Sequence, residues 1–126
     1  MILVHQSVPH LETSALLTKA VLQAADRLGV SNLQLSAILG VSAAEVSEWR
    51  CGENLLEPGT GSHELAVLFV RSFCALDAMT GGDEVAGKRW LSAPNAIFAV
   101  PPVERMAHVQ GLTDVTAYLE ARVARL

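Results

Sequence analysis

Carboxylates, thiols and imidazoles are the groups of this sequence that could do chemistry. The carboxylates include two close pairs on helical segments, Glu45 with Glu48 and Asp83 with Glu84. Acids on exposed helical faces are usually solvated, and neither pair has the flanking residues of an acid–base site. The sequence also contains no Gly-rich phosphate loop, no HExxH and no serine elbow. We therefore expect no enzyme, no catalytic residue and no cofactor.

The two cysteines, Cys51 and Cys74, have no CxxC pattern and no histidine pair nearby, and the four histidines share no ligand-like spacing. This pattern predicts buried, reduced thiols and no metal site. The sequence MILVHQ lacks the basic and long apolar regions of a secretory signal, and no apolar run reaches the length of a membrane span. We expect a cytoplasmic protein.

Residues 31–52, SNLQLSAILGVSAAEVSEWRCG, have the spacing of a helix-turn-helix. Small Ser36, Gly40 four residues later and apolar Val46 six residues beyond that suit two tightly crossed helices. Gly40 can end the first helix with a positive φ. Trp49 could touch a phosphate through its indole N–H, but packing against the first helix is the simpler interpretation.

Each of the two helices is predicted to begin with a capping box. Ser31 and Ser42 stand at the N-cap positions, and Gln34 and Glu45 follow them by three residues. The second helix would be the recognition helix, and its candidate DNA contacts are Ser42, Ala44, Ser47 and Arg50.

The charge of this half of the chain opposes DNA binding. Residues 1–80 hold four Lys or Arg against eight acids, whereas residues 81–126 hold five of each sign. The recognition helix itself offers Glu45 and Glu48 against a single Arg50. Because the phosphate backbone attracts cations, the motif favours nucleic acid but the charge predicts weak binding by the chain alone.

The composition is unusually apolar. Hydrophobic residues make up 51% and charged residues 17% of the 126 residues. A chain this short cannot hide so much apolar surface alone, which predicts a homodimer or a complex; an Ala-, Val- and Leu-rich genome is the alternative. The helix at 63–79 is apolar nearly all round, and we expect it to form the dimer interface. The expected interface residues are Leu65, Phe69, Phe73 and Leu76.

The periodicity predicts an all-α fold with no strand. After a loose arm over residues 1–10, helices are expected at 14–28, 32–39, 43–51, 63–79, 83–91 and 102–109, and from a Thr113 cap to the end. Gly111 would stop the sixth of these helices.

Residues 83–119 contain a characteristic series, Trp90-Leu91, Pro94-Asn95, Pro102 before a short helix, Gly111 and Leu119. The series resembles the toxin-binding domain of the Xre/MbcA/ParS antitoxins, a family that joins an Xre-like helix-turn-helix to this domain in the same order. The resemblance covers about residues 14–126. One departure is IFAV at 97–100, where the family has a small or Gly-containing stretch, and the acidic recognition helix is another.

The resemblance implies a helix-turn-helix domain at 1–60 and a toxin-binding domain at 61–126 that includes the apolar helix. It also implies an antitoxin that neutralises a RES-type, NAD-consuming toxin encoded by the adjacent gene, and whose complex represses its own promoter. Two alternatives remain open. The chain could be a free-standing helix-turn-helix regulator, or the motif could be a dimerisation scaffold that binds no DNA.

The expected toxin-binding residues form two groups, Trp90 with Asn95, and Arg122, Arg125 and Leu126 at the C-terminus. Trp90 also suits a place in the core, and Asn95 suits a turn. The two arginines would stabilise the end of the last helix through its dipole. The functional alternative is that this tail enters the active-site cleft of the toxin, where guanidinium groups can form bidentate contacts.

Overall fold

The computed structural model describes residues 2–126, with side chains described from Glu12 onward. The described residues form seven helices and no strand, which confirms the predicted all-α fold. The helices are α1 (Ile2–Leu28), α2 (Asn32–Leu39), α3 (Ala43–Cys51), α4 (Gly61–Met79), α5 (Glu84–Ser92), α6 (Pro102–Arg105) and α7 (Val109–Val123). The bounds of α1 include the segment that we expected to be a loose arm. Within this described part, no helix combines the length and hydropathy that crossing a membrane requires.

The pair α2 and α3 has the predicted bounds and caps. Ser31 Oγ accepts the N–H of Gln34 at 3.1 Å, and Ser42 Oγ accepts the N–H of Glu45 at 3.1 Å. The glutamine and glutamate side chains return a bond to the cap backbone, so both capping boxes are confirmed. Gly40 ends α2 with φ 70°. These features lie within a few residues of one another, which is why the sequence predicts them.

The boundary between α6 and α7 differs from the prediction. α6 ends at Arg105 and α7 already begins at Val109, so Gly111 lies inside α7 instead of stopping a helix. Gly111 is buried, and a Cβ there would collide with the carbonyl oxygen of Arg105. The glycine therefore allows the end of α6 to approach α7 closely. Thr113 is not a cap, because its hydroxyl donates to the Val109 carbonyl within α7.

The core connects the N-terminal and C-terminal helices. α4 packs against α1, α2, α5 and α7, and α1 also contacts α5. Trp49 is 5% exposed and belongs to this core, which confirms its packing role. The largest side chains that are fully buried include Leu35, Leu39, Phe69, Leu76, Leu112 and Leu119.

Candidate functional site

Three aromatic side chains form a cluster at the surface of the C-terminal helices. Trp90 on α5 stacks on Tyr118 of α7, with ring centroids 6.2 Å apart and ring planes inclined by 10°. Phe98, from the segment between α5 and α6, meets both rings edge-on, at 6.4 Å from Trp90 and 5.6 Å from Tyr118. All three side chains are half-buried and pack against the core. Trp90 therefore anchors this surface and is not enclosed within the core.

The segment 93–101 forms an ordered turn around Asn95. The side-chain Oδ1 of Asn95 accepts the N–H of Ile97 at 2.8 Å, and its carbonyl accepts the N–H of Ala99 at 2.8 Å. The predicted turn, in which this side chain bonds the backbone, is confirmed. Ala99 has φ 68°, and no other non-glycine residue in the described part of the chain has a positive φ. The turn leaves Ile97 61% and Val100 38% exposed.

One side of α7 leads from the aromatic cluster toward the C-terminus. Tyr118 and Arg122 are four residues apart and lie on the same side of the helix. Arg125 follows one turn later, and its N–H donates to the Arg122 carbonyl at 3.1 Å. Both guanidinium groups are exposed, and neither forms an ion pair with the side chains described here. Leu126 is 83% exposed. Because Trp90 stacks on Tyr118, the side of α7 that carries Arg122 begins at the aromatic cluster.

The opposite side of α7 carries an ion pair with α4. Arg71 donates to Oε1 of Glu120 at 2.5 Å through Nη2 and to Oε2 at 3.1 Å through Nε. Chiefly through this hydrogen bonding, the pKa of Glu120 is lowered and the pKa of Arg71 is raised. At the start of α7, Asp114 accepts from Arg105 at 3.4 Å. The two acids of α7 thus pair with Arg71 and Arg105 and not with the C-terminal arginines.

The side chains predicted to contact DNA are all exposed, at the N-cap of α3 and along the helix, namely Ser42, Ala44, Ser47 and Arg50. Arg50 has partners within the chain that the sequence did not suggest. Its Nη2 donates to Asp26 Oδ1 at 2.9 Å, and its Nε donates to Asn32 Oδ1 at 2.6 Å. Arg50 therefore ties the last turn of α3 to the end of α1 and the start of α2.

The residues predicted for a dimer interface lie on the side of α4 that faces the chain's own core. Phe69 and Leu76 are 0% and 1% exposed, and Leu65 and Phe73 are half-buried. The Arg27 guanidinium lies 5.4 Å from the centroid of the Phe73 ring. Apolar periodicity identifies the buried side of a helix but not the chain that covers it. Here helices of the same chain cover it, so a partner cannot reach Phe69 or Leu76 in the folded protein.

The opposite side of α4 is exposed and partly apolar. Val67 is 39% exposed, and Cys74 lies two turns later on the same side. A groove of about 330 Å³ runs beside it between α4 and α7, lined in part by Val70, Ala78 and Val123.

The thiols are free, as predicted, but the prediction that they are buried is wrong. Cys51 lies exposed in the last turn of α3, and Cys74 lies exposed on the outer side of α4. Helical spacing, and not the apolar character of the thiol, decides their exposure. No group of three or more His, Cys, Asp or Glu side chains in the described residues is placed to hold a metal ion.

Comparison with known families identifies the C-terminal part of the chain. The sequence model of the antitoxin Xre/MbcA/ParS C-terminal toxin-binding domain matches residues 75–123. That range begins in α4 and contains the aromatic cluster, the 93–101 turn and Arg122. A comparison with curated proteins gives no significant match. Residues 75–123 of this chain therefore form a toxin-binding domain of the Xre/MbcA/ParS antitoxin type.

Proposed function

We propose that this chain is the antitoxin of a type II toxin-antitoxin system and that it neutralises a RES-type, NAD-consuming toxin. The match of residues 75–123 to a toxin-binding domain carries the proposal. The toxin would be the product of the adjacent gene, and both proteins would act in the cytoplasm. In this role the chain acts by binding and catalyses no reaction of its own.

Neutralisation would use the C-terminal tail and the aromatic cluster together. Residues 124–126 follow the last residue of α7, and Leu126 is 83% exposed, so the tail can enter a cleft without opening the core. Arg122 and Arg125 are free to pair with carboxylates of the toxin. Trp90 lies on the same surface through its contact with Tyr118. Asn95 would act indirectly, because its side chain holds the turn.

Co-expression with the adjacent toxin gene tests this function. The wild-type chain should restore growth and co-purify with the toxin. The double variant Arg122→Ser/Arg125→Ser, and a chain that ends at Val123, should remain folded and lose protection. The double variant Lys19→Ser/Arg89→Ser removes the same charge from other exposed positions and should protect fully. Full protection by both tail variants would move neutralisation to the surface around Trp90 and Asn95.

We propose a second function for residues 1–60, operator binding through an Xre-like helix-turn-helix, with residues 61–126 as the toxin-binding domain. The capped pair α2 and α3, with Ser42, Ala44, Ser47 and Arg50 exposed, supports this proposal. The eight acids among residues 1–80 repel phosphates, so we expect weak binding by the free chain and tighter binding by the toxin complex.

Gel-shift titration of the upstream DNA with the free chain and with the toxin complex separates the alternatives. Binding by the complex at lower concentration supports autoregulation. Tight binding by the free chain at physiological salt, together with no toxin capture, supports a free-standing regulator. Binding by neither species supports a dimerisation scaffold.

We propose that the chain is a homodimer that associates through the outer side of α4. Its 51% hydrophobic composition and the exposed Val67 beside the apolar groove between α4 and α7 support this assignment. Light scattering should give twice the chain mass, and Val67→Asp should give a folded monomer. Phe69→Asp serves as a contrast, since a carboxylate in the core should unfold the chain. A monomer at micromolar concentration would contradict the proposal.

A further inference from the structure

We infer that Ile97 and Val100 form an apolar ridge that docks into an apolar pocket of the toxin bordered by carboxylates. This inference rests on the proposed antitoxin function and names the part of the surface that would select the toxin. The two side chains are 61% and 38% exposed in a short turn. Isolated exposed apolar residues are common, so a docking role for Ile97 and Val100 depends on the residues around them.

The ridge is held in one conformation before any partner binds. Asn95 closes the turn with a side-chain and a backbone bond, both at 2.8 Å. Phe98, which lies between the two ridge residues in the sequence, is clamped edge-on against Trp90 and Tyr118. A segment that is already ordered loses little conformational entropy on binding, which favours affinity.

The turn also contains a backbone conformation that an ordinary residue avoids. Ala99 has φ 68° where glycine would be less strained. In this strained turn, Phe98 packs inward while Ile97 and Val100 are exposed to solvent. Strained residues persist where the surrounding structure imposes them, frequently at binding sites.

The neighbouring charges indicate the chemistry of the partner. Phe98 of the ridge turn contacts Tyr118, and Arg122, which forms no ion pair with the described side chains, follows Tyr118 by one helical turn. A pocket that is apolar inside and acidic at its rim would complement both features.

The size of the ridge shows that it must belong to a larger interface. Stable protein interfaces bury about 800 Å² on each partner, far more than two side chains provide. Phe98 joins the ridge turn to Trp90 and Tyr118, and a few central residues usually dominate an interface of standard size. Ile97 and Val100 would act as specificity determinants within it.

The test measures binding of the purified full chain to a catalytically inactive form of the RES-type toxin encoded beside it. Ile97→Ser/Val100→Ser should weaken binding by about tenfold or more, with an unchanged thermal unfolding curve. Val85→Ser is the matched control, because Val85 is 65% exposed and lies on α5 of the same domain. It should change binding less than about twofold. Added salt should weaken the wild-type complex more than the Arg122→Ser/Arg125→Ser complex.

Two results would show that Ile97 and Val100 do not dock into the toxin, while leaving the antitoxin function intact. In the first, the wild-type chain and the ridge variant bind the toxin equally well. In the second, the ridge variant binds normally but changes the mass of the free chain in light scattering, which would make the ridge a contact between copies. If the wild-type chain does not bind the toxin, the proposed function and the ridge are both wrong.

Discussion

Trp90 on α5 and Tyr118 on α7 stack with their ring centroids 6.2 Å apart. This contact joins two regions that the sequence presents as separate candidates, the motif around Trp90 and the arginines at the C-terminus. Because Arg122 follows Tyr118 by one helical turn, a toxin that contacts the tail also lies near the aromatic cluster. The two groups of residues proposed for neutralisation would therefore form parts of a single surface.

The stacking predicts a measurable contribution of Tyr118 to stability. Tyr118→Ala should lower the free energy of unfolding by about 2 kcal/mol, below the 3–5 kcal/mol typical of fully buried aromatic residues, because the ring is half-buried. Urea denaturation measures the effect. Tyr118→Phe keeps both ring contacts and should stay within about 0.5 kcal/mol of wild type. Equal urea midpoints for wild type and the alanine variant would contradict this role.

Ala99→Gly should stabilise the protein by about 0.5 kcal/mol. The left-handed backbone costs a non-glycine residue about 1–2 kcal/mol, and the extra freedom of glycine in the unfolded chain offsets about 0.5–1 kcal/mol. Ala99→Val should destabilise, because a β-branched side chain tolerates this conformation worse. Thermal unfolding of the three proteins should rank Gly above Ala above Val, and any other order would argue against strain at this residue.

Gly111→Ala should destabilise the protein by about 2–3 kcal/mol, since the added methyl meets the Arg105 carbonyl oxygen and forces α6 away from α7. Gly61→Ala is the control, because nothing lies within 4 Å of a Cβ at that position. It should be neutral or slightly stabilising. Chemical denaturation distinguishes the two variants, and a neutral Gly111→Ala would mean that the helices separate at little cost.

The pair Arg71–Glu120 should make stability depend on pH. Arg71 lowers the pKa of Glu120 below its ordinary value of 4.5, so the folded chain binds this proton less tightly than the unfolded chain. The contribution is therefore fully present above pH 4.5 and is lost as the pH falls through the lowered pKa. The difference in unfolding free energy between wild type and Glu120→Gln should shrink over that range. In an Arg71→Gln background, the pH dependence of this free-energy difference should disappear. If it persists, another titratable group causes it.

Arg50 should affect DNA binding through Asp26 as well as directly. Arg50→Ala should weaken binding of the toxin complex to the upstream DNA several-fold, since it removes a cation from the exposed side of α3. Asp26→Asn should strengthen binding, because it releases Arg50 from its 2.9 Å ion pair. Fluorescence anisotropy at two salt concentrations measures both effects. Glu57→Gln removes the same charge from the segment between α3 and α4. An equal gain in binding by that variant would mean that Asp26 acts only through the net charge of the chain.

Local features of this protein were predictable from the sequence alone. The bounds of α2 and α3, both capping boxes and the Asn95 turn depend on residues within four positions of one another. The series from Trp90 to Leu119 was sufficient to indicate the toxin-binding domain that the family comparison identifies. Hydrogen bonds between near neighbours and steric limits on the backbone determine such features before distant parts of the chain meet.

The tertiary structure decided what depends on the path of the chain. It placed Phe69 and Leu76 against helices of the same chain, left Cys74 in solvent, and set Gly111 against the end of α6. It also paired Trp90 with Tyr118 and Arg50 with Asp26. Periodicity shows which side of a helix is apolar, but helix packing determines what covers that side and which distant side chains come into contact.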